Sequence, residues 1–148
     1  MIPLFKTHAS IGKSLLRIED VVRISEENNL EEVFFVEDSM TGFPSALKAF
    51  KDKLRFGLRF SVYNNDVSDQ SESKLIAFAN GDLGCKDLYK LFTEASQSNI
   101  KYSDLQKYQN IVFCIPFYDS FLYNNFMYFS NCVPELPDNA IFLIESNN

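Results

Sequence analysis

An α/β fold, with a mostly parallel sheet covered by helices, follows from three features of the sequence. The apolar runs Val33-Phe34-Phe35-Val36, Leu75-Ile76-Ala77-Phe78-Ala79 and Ile111-Val112-Phe113-Cys114-Ile115 are continuous rather than alternating, as strands buried on both faces require. Segments with apolar residues at helical spacing lie between them. The length of 148 residues and a hydrophobic content of 46% suit one compact domain, 1–148, with a core large enough to cover such a sheet.

Taken in order, Leu4-Phe5 opens a short extended segment that stops at the polar loop Thr7 to Ser14. From Ile18, the positions Ile18, Val21 and Val22, with Glu26 and Glu27 outside, predict a helix that reaches the turn Asn28-Asn29. Val33 to Val36 is the next strand and completes a β-α-β unit. Pro44 suits the first turn of a second helix, where a missing N–H does no harm, and Leu47, Phe50 and Leu54 give its apolar face. A strand is predicted over Phe56 to Tyr63, and an exposed loop over Asn64 to Ser73, which is polar apart from Val67. Leu75 to Ala79 resumes as a strand. The turn Asn80-Gly81-Asp82 can cap a helix beginning near Leu83, whose Leu88, Leu91, Phe92 and Ala95 give the clearest amphipathic spacing in the chain. Ile111 to Ile115 is a strand stopped by Pro116, and Ala140 to Ile144 is the last strand, after Pro134 and Pro137. The aromatic stretch from Phe117 to Phe129 has no clear period. Rings this dense usually belong to a core, whereas an exposed part would suit docking of another domain.

Fifteen Phe and seven Tyr with no Trp mean that much of the burial comes from a few large rings. The formal charge of −6 and pI near 4.8 argue against a protein that coats nucleic acid, since that binding rests on neutralising phosphates. No leader pattern and no apolar run of membrane-spanning length is visible, so a soluble, cytoplasmic chain is expected. Cys85, Cys114 and Cys132 have no Cys-x-x-Cys spacing and are read as free thiols. Nothing in the sequence puts one of them beside His8 for nucleophilic catalysis.

Gly12-Lys13-Ser14 ends like a phosphate-binding loop, but Thr7 stands where that motif needs its first glycine. His8, the single histidine, follows the first strand and Asp38 follows Val33 to Val36. In an α/β layout both can reach one rim, where function usually sits. Two ligands hold a metal weakly, and Glu37 and Asp38 are the acids nearest a strand end in this set. Lys48, Lys51, Lys53, Arg55 and Arg59 form the one basic concentration. It reads either as a solvated helix face or as a patch for nucleic acid or an acidic partner.

The order of these blocks resembles the PHP domain at the N-terminus of bacterial DNA polymerase III alpha subunits and related C-family polymerases. Phe5-Lys6-Thr7-His8-Ala9-Ser10 is similar to the family's opening His-x-His segment. Val36-Glu37-Asp38-Ser39 with Thr41-Gly42 is similar to its Thr-Asp-His block, and Phe56-Gly57-Leu58-Arg59-Phe60 to its Gly-Cys-Glu strand. Lys74 to Gly81, running into Gly84-Cys85-Lys86-Asp87-Leu88-Tyr89-Lys90-Leu91, resembles the Leu-Ala-x-Asn, Gly-Tyr-x-Asn-Leu signature. The likeness covers Leu4 to about Ala95. It implies part of a distorted (β/α) barrel in which His8 and Asp38 match metal ligands, while Lys6, Ser39 and Arg59 replace two histidines and a glutamate. Fixed positive charges at Lys6 and Arg59 oppose a cation there. The resemblance therefore implies a non-catalytic PHP-like module, a scaffold or docking domain in DNA replication that meets a polymerase or another replication protein and needs no cofactor. The alternatives are a phosphoesterase holding Mn or Zn at His8 and Asp38, and a weak nucleic-acid-binding module using Lys48, Lys51, Lys53 and Arg55.

Overall fold

The computed structural model describes residues 2–65 and 72–144. The chain is α/β and divides into two compact units, Met1–Arg59 and Phe60–Asn148.

The first unit contains β1 (Leu4–Phe5), α1 (Ile18–Glu27), β2 (Val33–Glu37), α2 (Phe43–Phe50), a 3-10 turn (Lys51–Lys53) and the start of β3 (Leu54–Tyr63). Both pairings are parallel, with Leu4 opposite Phe34 in β1 and β2, and Val33 opposite Leu54 through Glu37 opposite Leu58 in β2 and β3. Val21, Val33, Phe35, Ala46, Phe56 and Leu58 are buried. The Phe35 ring lies between Phe5 at 6.3 Å and Phe50 at 5.4 Å, and Phe43 meets Phe56 edge-on at 5.1 Å. Each buried ring contributes about 2 kcal/mol or more by leaving water. At the start of α1 the Asp20 carboxylate accepts the Arg17 N–H at 3.1 Å, satisfying one of the donors that a helix N-terminus leaves free.

The predicted second helix is shorter than its apolar spacing implied. Lys51 takes a left-handed φ of 50° and ends α2 at Phe50. Leu54, expected on the helix face, instead opens β3 and is buried opposite Val33. An apolar residue at the right spacing can be buried equally well by the next element, and the sequence period does not distinguish the two.

The second unit holds the rest of β3, β4 (Glu72–Ala79), α3 (Gly81–Gln97), a 3-10 helix (Tyr102–Lys107), β5 (Ile111–Ile115), α4 (Phe121–Tyr128) and β6 (Ala140–Phe142). Its strand order is β3-β4-β5-β6. The β4–β5 pair is antiparallel, with Ile76 opposite Cys114 and Ala79 opposite Ile111, and β5–β6 is parallel, with Phe113 opposite Ala140. The sheet is therefore mixed. Its core is Leu75, Ala77, Leu88, Leu91, Tyr102, Leu105, Ile111, Phe113 and Ile115. Burial pushes the Tyr102 phenol up to about 12.

Three sequence expectations change in this unit. Glu72 and Ser73, placed in the polar loop, belong to β4, where Ser61 and Lys74 bind the Glu72 carboxylate; residues 66–71 of that loop lie outside the described residues. The final strand stops at Phe142, and Ile141 and Phe142 are exposed rather than buried, because β6 pairs with β5 alone among the described residues. The aperiodic aromatic stretch contains a helix, α4, and only Phe121 of that helix is buried. A local cap begins it: the Ser120 hydroxyl accepts the Leu122 N–H at 3.2 Å and donates to the Phe117 carbonyl at 2.9 Å. Among the described residues, no helix is long and apolar enough to cross a membrane.

Candidate functional site at the strand ends

The carboxyl ends of β1 and β2 carry the polar residues singled out from the sequence, and parallel pairing brings them to one rim of the first unit. Two arrangements occupy that rim. In the first, Lys6, just past β1, places its ammonium 2.8 Å from the Asp38 carboxylate, just past β2. Both side chains are partly exposed, so the pair contributes at most about 1 kcal/mol, but it commits Asp38 to a cation supplied by the chain itself.

In the second, Glu37 ends β2 with its side chain completely buried. Its Oε1 accepts the Thr7 N–H at 2.8 Å and the Thr7 hydroxyl at 2.6 Å, and its Oε2 accepts the Ser10 hydroxyl. The Ser10 oxygen in turn accepts the Asp38 N–H at 2.9 Å, and the Thr7 oxygen accepts the Ala9 N–H at 3.3 Å. Three donors onto one carboxylate offset the cost of burying the charge. The result is a lock between the loop after β1 and the end of β2. In the sequence alone Glu37 stands out only as an acid near a strand end. The available signal was a glutamate closing a four-residue apolar run, with hydroxyls at Thr7 and Ser10 in the preceding loop.

His8 turns elsewhere. Its backbone N–H donates to the Leu16 carbonyl at 2.8 Å, and its ring Nδ1 lies 3.4 Å from the same oxygen, a geometry in which a protonated Nδ1 donates. The ring is exposed and borders a groove of about 730 Å³ between the helices, shared with Ile18, Val22, Ser45 and Lys48. His8 and Asp38 thus engage different partners. The Ser39 hydroxyl donates to Thr41 Oγ1 at 3.1 Å, which shapes the turn into α2. Gly42 follows because a β-carbon there would come within 2.8 Å of the Ala9 Cβ. Arg59 is half-buried on β3, one residue past Leu58, which is in register with Glu37. Among the described residues, no three His, Cys, Asp or Glu side chains form a group able to hold a metal.

The basic concentration divides in two. Arg55 donates to Glu32 at 2.6 Å and to the carbonyls of Asp52 and Leu54, and Lys53 donates to the Leu30 carbonyl at 3.1 Å. These two tie the start of β3 to the turn before β2. Lys48 and Lys51 are exposed.

The cysteines are free thiols, with Cys114 and Cys132 buried and Cys85 half-buried. Burial pushes the Cys114 thiol up to about 11, and burial with the nearby Asp82 charge also raises Cys85. A raised thiol pKa leaves less thiolate at pH 8. A disulfide reagent such as Ellman's is therefore expected to react slowly with the native chain and first at Cys85, with Cys114 released only on unfolding; fast native labelling of Cys114, seen by peptide mapping, would contradict the packing of β5.

Fold and rim together define an α/β protein whose strand-end site is filled by internal hydrogen bonds and a lysine–aspartate pair. No family model and no curated protein matches the chain.

Proposed function

We propose that the chain is a non-catalytic PHP-like module, built as part of a distorted (β/α) barrel, that serves as a scaffold or docking domain in DNA replication. The observation that carries this reading is the 2.8 Å contact between Lys6 and Asp38. In the resemblance these positions correspond to two metal ligands, and here an ammonium neutralises the one remaining carboxylate. A divalent ion at Asp38 would have to displace that ammonium and sit beside it, at a Coulombic disadvantage.

A thermal unfolding series tests it. EDTA, and then Mn or Zn in stoichiometric amount, is expected to leave Tm unchanged within about 1 °C, because a ligand stabilises only in proportion to its occupancy of the native state. A metal-dependent rise of several degrees that disappears in Asp38→Asn would instead support the phosphoesterase reading through His8 and Asp38. The docking role is tested separately by size-exclusion chromatography with the alpha subunit of the C-family polymerase from the same source. Comigration at micromolar concentration is expected, and independent elution of the two would remove the replication role.

A further inference from the structure

The aromatic stretch around α4 is exposed where its composition suited a core. Phe117 lies edge-on to Tyr118 at 5.3 Å and to Tyr123 at 6.0 Å, and Tyr123 reaches Tyr128 at 6.3 Å, so the rings brace one another. Yet Phe126 is 71% exposed, Tyr128 70% and Phe129 88%. Phe129 ends the helix with a left-handed φ of 53°, a conformation that bulky side chains rarely adopt. Contiguous exposed rings of this kind mark interaction surfaces.

Charge selects the partner. Residues 108–148 contain no Lys, Arg or His, while Glu135 and Asp138 are exposed acids in the same part of the chain. The Asn125 side chain donates to the Cys132 carbonyl at 2.7 Å and accepts the Cys132 N–H at 3.2 Å, which holds the segment leading to Glu135 against α4. Stacking of single-stranded nucleic acid needs cations along its backbone, and an anionic lipid surface needs them too; Lys74, whose backbone N–H donates to the Asp119 carbonyl at 2.6 Å, has its ammonium already engaged by Ser61 and Glu72. A second copy would bring its own acids against these. A cationic partner gains on both counts, because its ammonium or guanidinium groups meet the exposed ring faces by cation–π contact and the acids by ion pairing.

We propose that the face formed by α4 and its flanking segments binds a basic, amphipathic protein segment, with Lys or Arg over the rings and aliphatic side chains against Phe126 and Phe129. The inference rests on the docking reading above and supplies its contact surface. Two synthetic helical probes test it on the full chain by calorimetric titration: a peptide of alternating leucine and lysine pairs, and its counterpart with glutamate in place of lysine. The basic peptide is expected to bind, and the acidic one to bind at least roughly tenfold more weakly. The double variant Phe126→Ser/Phe129→Ser is expected to lose roughly tenfold or more in affinity with its melting temperature unchanged, since both rings are already in water. The charge variant Glu135→Lys/Asp138→Lys is expected to weaken binding without touching a ring. Equal affinity for the two peptides, or unchanged affinity in both variants, would overturn the proposal. So would a dimer of the free protein that Phe126→Ser/Phe129→Ser dissociates, which would make a second copy the occupant. A polymerase complex that survives both variants would sink this surface while sparing the docking role; peptide binding without any polymerase complex would do the reverse.

Discussion

Replacing Glu37 with alanine is expected to lower the unfolding free energy by about 3 kcal/mol, although the residue ends a strand and carries a charge that costs energy to bury. The carboxylate accepts from the Thr7 N–H, the Thr7 hydroxyl and the Ser10 hydroxyl, and none of these sites opens to water. Truncation orphans three buried donors at about 1 to 3 kcal/mol each, and part of that loss is offset because the buried charge has gone as well. Glu37→Gln keeps the shape and one acceptor oxygen, but turns an NH2 group toward donors that need an acceptor, so it should fall between wild type and alanine. The effect should also spread, because the Ser10 oxygen that Glu37 orients accepts the Asp38 N–H. Urea unfolding followed by circular dichroism measures the loss. A Glu37→Ala protein within about 0.5 kcal/mol of wild type would mean that water reaches the site and that the loop after β1 is not held by this carboxylate.

How far the sequence shows this arrangement depends on the kind of information each part needs. The buried strands β2 and β5 and the helices α1 and α3 were legible because burial on both faces, or on one helical stripe, writes a period into the residues themselves. The end of α2 was not, because it turns on the left-handed backbone of Lys51, and neither the residue type nor the spacing of Leu47, Phe50 and Leu54 records a backbone angle. Helix α4 is not legible for a related reason. It is held by the Ser120 cap and buries Phe121 alone while Phe126 and Tyr128 are exposed, so no apolar stripe faces a core and no period is expected.

The rim shows the same division. That His8, Glu37 and Asp38 lie near strand ends follows from counting along β1 and β2. Which of them meet does not. Lys6 reaches Asp38 because β1 and β2 pair in parallel with Leu4 opposite Phe34, a long-range register that local sequence cannot specify. Once that register is set, residue 37 is carried to the buried side with Thr7, and residue 38 to the partly exposed side with Lys6. Neighbouring acids thus acquire opposite roles, one a structural lock and the other a surface ion pair, through the alternation of side chains along a strand.

Gly84→Ala separates helix propensity from packing and is expected to destabilise by about 1 to 3 kcal/mol. On propensity alone, alanine in place of glycine within α3 should stabilise by about 1 kcal/mol, as it would on an exposed helix. The added β-carbon, however, would come within 2.3 Å of the Asn110 carbonyl oxygen and 3.0 Å of the Ala79 carbonyl carbon. Both are backbone atoms, so no rotamer change relieves the overlap. The contact is close because the Asn80 N–H donates to that same Asn110 carbonyl at 2.9 Å, drawing the first turn of α3 onto the segment entering β5. Alanine must either push α3 away from the β4–β5 pair or break that hydrogen bond, and overpacking of this kind costs about 1 to 3 kcal/mol beyond the propensity gain it cancels. Gly81→Ala is a control in the same turn: its β-carbon would meet nothing within 4 Å, so its cost should come only from the left-handed φ of 69°. Thermal unfolding of both variants decides the matter. If Gly84→Ala melts at or above the wild-type temperature, the helix and the Asn110 carbonyl are not in the close contact that positions α3 on the sheet.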